Sequence, residues 1–266
     1  MNDGAIVVTN AESRLGQALC RELSLRGHAV VGLVRKHSNS TTMPDLQTGR
    51  FRTQICNVAD PLAVSTAFER IRAALGPIDI LINNTSLHPR RDIMDESAHS
   101  FMDTIAINLG GTVNCTREAL NDMVRRGQGR IVDVGGPVAP GSMPGSIAYT
   151  VSRGATQIFS RALVADLADR FPRIVISHWM PEPVREGPRG SRPIGIETLA
   201  HWGASLALMR DPNLNGTIWE LDRELPPARS FVRRVADRVL WQTPHIRRLP
   251  SFQLAQDTAA SIQGMV

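Results

Sequence analysis

Tyr149 is the only tyrosine in the chain, and Arg153 follows it by four residues, so on a helix the two side chains share one face. A phenol held beside a cation can work as an acid/base group, because the positive charge favours the phenolate. A tyrosine packed on an arginine along an ordinary helix has the same spacing, and the pair alone does not choose between the two. A second cluster, Thr9-Asn10-Ala11-Glu12-Ser13-Arg14-Leu15-Gly16, follows a short apolar run. Small residues in such a loop let backbone amides and a helix N-terminus approach a phosphate. Gly16 is the only glycine here, and Arg14 offers a charge-assisted phosphate contact in place of the others. A third cluster is Arg35-Lys36-His37-Ser38. If a dinucleotide binds, adjacent cations at this point suit a 2′-phosphate, hence NADP(H) over NAD(H).

The elements that must position these groups alternate regularly. Short β-branched runs predict strands at Ala5–Thr9, Ala29–Val34, Arg52–Cys56, Ile78–Asn83, Ile131–Val134, Ile174–Trp179 and Thr217–Leu221. Helical spacing predicts helices over Leu15–Leu25, Pro61–Leu75, roughly Ser97–Arg126, Tyr149–Arg170 and Glu197–Met209. The alternation implies an α/β fold of the Rossmann type, a doubly wound parallel sheet of about seven strands with helices on both faces. Ligands in such folds bind at the carboxyl ends of the strands, where strand order reverses. Residues 1–224 are expected to form this domain. Residues 225–266, with Arg229, Arg233, Arg234, Arg238, Arg247 and Arg248, are expected to be a docked extension or a subunit contact.

Composition narrows the classes. With 42% apolar residues over 266, the chain can bury a full core, which excludes a disordered protein. No run approaches eighteen apolar residues and no basic segment precedes an apolar one at the N-terminus, so a soluble cytoplasmic protein without a membrane partner is expected. Cys20, Cys56 and Cys115 are odd in number and far apart, which predicts reduced core thiols and no metal site. The net charge of +5 comes from dispersed arginines, so no nucleic-acid partner is expected. Lys36 is the only lysine, so a catalytic lysine could stand nowhere else.

Taken together, from roughly Ala5 to Asp222, the chain resembles the short-chain dehydrogenase/reductase family. The resemblance rests on Thr9 and Gly16, on Asn57-Val58, and on Asn83-Asn84-Thr85-Ser86 in place of the family's Asn-Asn-Ala-Gly turn. It rests equally on Asn108 in Ile107–Thr112, on Tyr149-x-x-x-Arg153 for Tyr-x-x-x-Lys, and on Pro181 for Pro-Gly. Thr9-x-x-x-x-Arg14-x-Gly16 followed by Asn-Asn-x-Ser looks like the pteridine reductase branch, where an arginine equivalent to Arg14 contacts cofactor phosphate and substrate. What the resemblance implies is an NADP(H)-dependent reductase acting on a carbonyl or imine of a small molecule, pterin-like in that branch, as a homodimer or homotetramer. Tyr149 would be the proton donor, Arg153 the cofactor anchor and Asn108 their support. The implied cofactor site comprises Thr9, Asn10, Ser13, Arg14, Leu15, Arg35, Lys36, Asn57, Val58, Asn84, Thr85, Tyr149, Arg153 and Pro181.

The departures point the other way. The family's serine, which holds the substrate oxygen, falls at Gly136, and its lysine at Arg153. Asn10 replaces the first loop glycine, Glu182 the glycine after the proline, and Arg223-Glu224 a Gly-Gly pair. Arginine keeps the charge of lysine but not its geometry, and it cannot release a proton into a relay. Ser142 or Ser146 could replace the missing serine. The alternative is therefore a paralogue that keeps the fold for a non-redox, binding or pathway-specific role.

Overall fold

A computed structural model describes residues 4–35, 51–136, 145–181, 194–226 and 246–251. Lys36, His37, Ser38, Ser142, Glu182, the arginines at 185, 189 and 192, and those from 229 to 238 lie outside the described residues.

The sheet forms because five short runs are buried on both faces. β1 (Ala5–Val8), β2 (Val30–Val34), β4 (Ile78–Asn83), β5 (Gly129–Val134) and β6 (Ile174–Met180) are buried throughout. Strands of that kind sit in the middle of a parallel sheet covered on both sides. β3 (Phe51–Ile55) is half exposed and takes one edge. β7 (Thr217–Glu220) extends the other side, and β8 (Arg223–Leu225) pairs antiparallel with it. The order is β3-β2-β1-β4-β5-β6-β7-β8, so the sheet has eight strands where about seven are expected from the sequence. The extra strand is polar and three residues long, and Leu221, at φ 54°, turns the chain back to form it.

The helices divide between two faces. α1 (Arg14–Leu25) and α6 (Ile196–Leu208) cover one core, where Leu19, Leu23, Ala204 and Leu206 meet Trp179 and Trp219. α2 (Pro61–Leu75), α4 (Gly111–Arg126) and α5 (Ile147–Leu167) cover the other, around Phe68, Leu81, Met123 and Ile176. Local signals set the ends. Asp60 caps α2 through Leu62 N and Ala63 N with Pro61 as the first helical residue, and Gly127, at φ 65°, stops α4.

The expected single helix from Ser97 to Arg126 is instead three pieces. α3 (Ala98–Ile105) passes into a wide, π-type turn at Ala106–Gly110, and α4 continues from Gly111. The wide turn inserts a residue and rotates Asn108 inward, where the carboxamide is fully buried. Gly111 then lies so close to Val58 that a Cβ would fall 2.6 Å from its Cγ2. None of the described helices is long and apolar enough to cross a membrane.

Candidate active site

Strand order reverses between β1 and β4, and the loops that follow these strands are tied together there. Thr9 Oγ1 accepts Asn84 N and Thr85 N, both at 2.9 Å, and the Thr85 hydroxyl at 2.8 Å. Asn84 Nδ2 donates to Thr9 O, Asn10 O and Ser13 Oγ at 3.1–3.2 Å. Ser13 caps α1 by accepting Gly16 N at 3.0 Å. Asn10 adopts φ 51°, a conformation asparagine tolerates better than most residues. Gly16 allows the tight return, since a Cβ there would lie 2.4 Å from Asn10 O. The loop thus makes its tight turn with one glycine.

Beyond this loop is a cavity of about 140 Å³. Asn10, Glu12, Arg35, Asn57, Val58 and Thr85 line it, so five of the expected cofactor residues meet here. Leu33 and Cys56 add apolar wall, and burial pushes the Cys56 thiol up to about 11, with Asp60 adding to the effect. Asn57 Oδ1 accepts Ala59 N, which fixes the turn into α2. Glu12 also contributes, although nothing in its sequence position marks it. Its Oε1 accepts Arg35 N at 3.1 Å, while Oε2 is buried with no partner among the described residues.

Other expected residues stand elsewhere. Arg14 is exposed at the start of α1 and lines a separate groove of about 410 Å³ between α1 and α6, beside Arg21, Glu22 and Glu197. It does not join the cavity beside Asn10. Leu15 packs on the core beneath α1. Pro181 is half-buried just past the end of β6.

Tyr149 lies near the end of β5, held on several sides. The His88 ring stacks on it, with centroids 3.9 Å apart and planes 16° from parallel. His88 Nε2 is 2.8 Å from Ser146 Oγ, and Arg91 N donates to Gly145 O, so the loop after β4 runs along the start of α5. A Cβ on Gly136 would fall 2.5 Å from Tyr149 Oη. The tyrosine hydroxyl therefore occupies the room a serine at 136 would need. Gly135 similarly admits His178, whose Nε2 would lie 2.0 Å from a Cβ at that position.

Arg153 sits with its guanidinium 5.2 Å from the centre of the Tyr149 ring. It donates from Nη1 to Val134 O at 3.0 Å, and its Nε is buried without a partner among the described residues. His178 is buried, and neither ring nitrogen has a partner among the described residues; burial first, and the Arg153 charge second, lower its pKa to about 4, so it is neutral at pH 7. Asn108 is fully engaged: Oδ1 accepts Leu87 N at 2.7 Å, and Nδ2 donates to Leu87 O and Ser152 Oγ, both at 2.9 Å. Its backbone oxygen accepts the Thr112 hydroxyl. Asn108 thus fixes the loop after β4 against α5, holding the backbone beside His88.

Glu12 and His88 are the site residues that sequence reasoning misses. Glu12 stands within the first loop and His88 two residues past Asn83–Ser86, and only their three-dimensional neighbours distinguish them. A dinucleotide fits the arrangement on two observations, the tight loop ending at Gly16 and two buried atoms without partners among the described residues, Glu12 Oε2 and Arg153 Nε.

Comparison with known proteins agrees with this geometry. The family model described as short chain dehydrogenase matches residues 4–187. The 3-oxoacyl-(acyl-carrier-protein) reductase FabG of Escherichia coli is 26% identical over 164 residues, 62% of this chain and 67% of that protein. The crystal structure of a gluconate 5-dehydrogenase from Burkholderia cenocepacia, in complex with NADP and tartrate, superposes with a TM-score of 0.70 at 21% identity, covering 83% of this chain and 93% of that one. An NADH-dependent reductase, A1-R', complexed with NAD, gives 0.72 at 16% identity, covering 82% and 95%. At these identities the structural likeness establishes the fold. The match of the family model over most of the described chain goes further, and this protein belongs to the short-chain dehydrogenase/reductase family.

Proposed function

We propose that the chain is a nicotinamide-nucleotide-dependent reductase that reduces a carbonyl or imine of a small molecule, with Tyr149 as proton donor. The observation that carries this reading is the position of the only tyrosine, near the end of β5 with Arg153 against its ring and His88, from the loop after β4, stacked on it. The nucleotide would supply hydride. Asn10, Asn57, Val58 and Thr85 would hold its adenosine half, and Arg153, through the unpartnered Nε, its nicotinamide ribose. Tyr149 Oη would give its proton to the substrate heteroatom. Arg153 would keep positive charge near the ring without joining a relay, since a guanidinium does not release its proton. Ser146, ordered by His88 and three residues before Tyr149, would hold the substrate oxygen in place of a serine at 136. NADP(H) is the nucleotide expected from Arg35 and Lys36, and Glu12, which lines the same cleft as Arg35, bears on that choice.

Pterins enter the substrate class on the sequence motifs Arg14-x-Gly16 and Asn-Asn-x-Ser alone, since Arg14 itself lines the groove between α1 and α6. A cytoplasmic homodimer or homotetramer is proposed as well. Ile147, Val151 and Ile158 form an exposed apolar stripe on α5, with Met102, Val113 and Val124 exposed on α3 and α4.

The test is turnover of NADH and NADPH with panels of carbonyl compounds, imines and dihydropterins. Tyr149→Phe should abolish turnover, a loss of about 100-fold or more, while nucleotide affinity changes little. An unchanged rate would mean that another group supplies the proton. One observation favours the second reading, a non-redox paralogue: the Tyr149 hydroxyl lies against Gly136, where the family places the group that holds substrate. Nucleotide binding without turnover on any panel would select it.

A further inference from the structure

We infer that Glu12 sets the nucleotide choice and favours the free ribose diol of NAD(H) over the 2′-phosphate of NADP(H), against the expectation from Arg35 and Lys36. The inference rests on reading the cleft between β1 and β4 as a dinucleotide site. Its own basis is the carboxylate of Glu12. This side chain reaches from the loop after β1 to the end of β2, where its Oε1 takes the backbone N–H of Arg35 at 3.1 Å. That bond fixes the carboxylate at the wall of the cavity, among Asn10, Leu33, Arg35 and Asn57. Oε2 is buried and has no partner among the described residues, and Glu12 itself lines a cavity of about 140 Å³. Buried polar atoms are rarely left unpaired, and one left so at a cavity marks where a ligand donor belongs.

The chemistry distinguishes the two nucleotides. A ribose diol brings hydroxyl donors, which form charge-assisted hydrogen bonds to a carboxylate. A 2′-phosphate brings only acceptors and two negative charges, which a fixed carboxylate repels in a cleft partly shielded from water. Arg35 does not cancel this. Its anchored group is its backbone N–H, and its guanidinium is exposed, where it can lie flat against an adenine face as readily as meet a phosphate. Among the described residues lining the cavity, Glu12 is the one carboxylate and Arg35 the one guanidinium. The carboxylate is fixed and the cation is not. In many such folds an acidic residue at the end of the second strand performs this selection. Here the second strand ends in a cation, and the acid arrives from the preceding loop.

Isothermal titration of the full chain with NADH and with NADPH tests this, with ADP and 2′,5′-ADP as fragments that read only the adenosine end. The expected result is NADH tighter than NADPH, and ADP tighter than 2′,5′-ADP, each by at least about tenfold. Glu12→Gln keeps an oxygen for Arg35 N and removes the charge. It should bring both pairs to within about threefold, chiefly by tightening the phosphorylated member. NADPH binding equal to or tighter than NADH in the wild type overturns the inference and leaves the dinucleotide reading standing, as does an unchanged ratio in a folded Glu12→Gln. If Glu12→Gln does not fold, the wild-type fragment ratio decides alone. Failure of all four compounds to bind overturns both the inference and the reading of the cleft.

Discussion

Gly136 and Tyr149 are best understood as one change. A Cβ at 136 would meet the phenol oxygen at 2.5 Å, so restoring the family's serine forces the ring to move. Gly136→Ser should destabilise by about 1–3 kcal/mol, the usual cost of overpacking. Thermal melts should show most of that loss relieved in the Tyr149→Phe background, where the colliding oxygen is gone, giving a coupling energy in a double-mutant cycle. Equal losses in both backgrounds would place the strain elsewhere. His178 makes a second residue-level prediction. Its folded pKa of about 4 lies below the ordinary 6.5, because burial and then Arg153 oppose its charge. The unfolded chain therefore binds the extra proton first, and stability present above pH 6.5 is lost as pH falls towards 4, by as much as about 3 kcal/mol. Its neighbour in the sheet, Asp133, runs the other way: burial raises its pKa against hydrogen bonds from Ser160 and Asn83, so its contribution is lost as pH rises. Denaturation of wild type and His178→Val at pH 7 and pH 4.5 isolates the histidine. The variant should lose markedly less stability between the two.

At the scale of elements, the wide turn at Ala106–Gly110 does what an uninterrupted helix could not. It brings Asn108 inward to hold Leu87 by both backbone groups and α5 through Ser152. Those three bonds order the loop that carries His88 to Tyr149. Asn108 is accordingly a positioning residue, and Asn108→Ala should act through the loop. Leaving Leu87 N and O without partners should cost about 1–3 kcal/mol per buried group. Hydrogen exchange at the Leu87 amide should speed up, and exchange in β1 should not; equal acceleration in both would mean global destabilisation only. Arg130 performs a comparable service on the opposite face. Fully buried in β5, it donates to Ile131 O, Val175 O and Leu206 O, joining two strands to the last turn of α6. Carbonyls at a helix end need such donors.

For the whole molecule, the sequence reveals the fold because buried parallel strands read as apolar runs, and the turn residues between them are local. Pro61–Leu75 and Ile78–Asn83 can be bounded to the residue for this reason. The wide turn is invisible, because one inserted residue leaves Ile105, Ile107 and Leu109 apolar on either side of Asn108. β8 is invisible because Arg-Glu-Leu carries no strand pattern and owes its existence to β7. In the site, the motif residues are legible, but the bond of Glu12 to Arg35 N and the groove that Arg14 lines are not, since side-chain direction is decided by neighbours distant in sequence. The same holds near the C-terminus. Residues 246–251 lie along β8: Leu249 N donates to Asp222 O at 2.8 Å, Glu224 N to Arg247 O at 3.0 Å, and Arg247 pairs with Glu224. Leu249 inserts into the core beneath α1 and α6, only 5% exposed, and so closes the far edge of the sheet. Leu249→Ala should cost about 2–5 kcal/mol, as deletion of a buried leucine side chain does. Arg247→Gln should cost no more than about 1 kcal/mol, since its ion pair with Glu224 is partly in water. Urea denaturation compares them directly. A Leu249→Ala loss no larger than that of Arg247→Gln would mean that this segment rests on the sheet without completing its core.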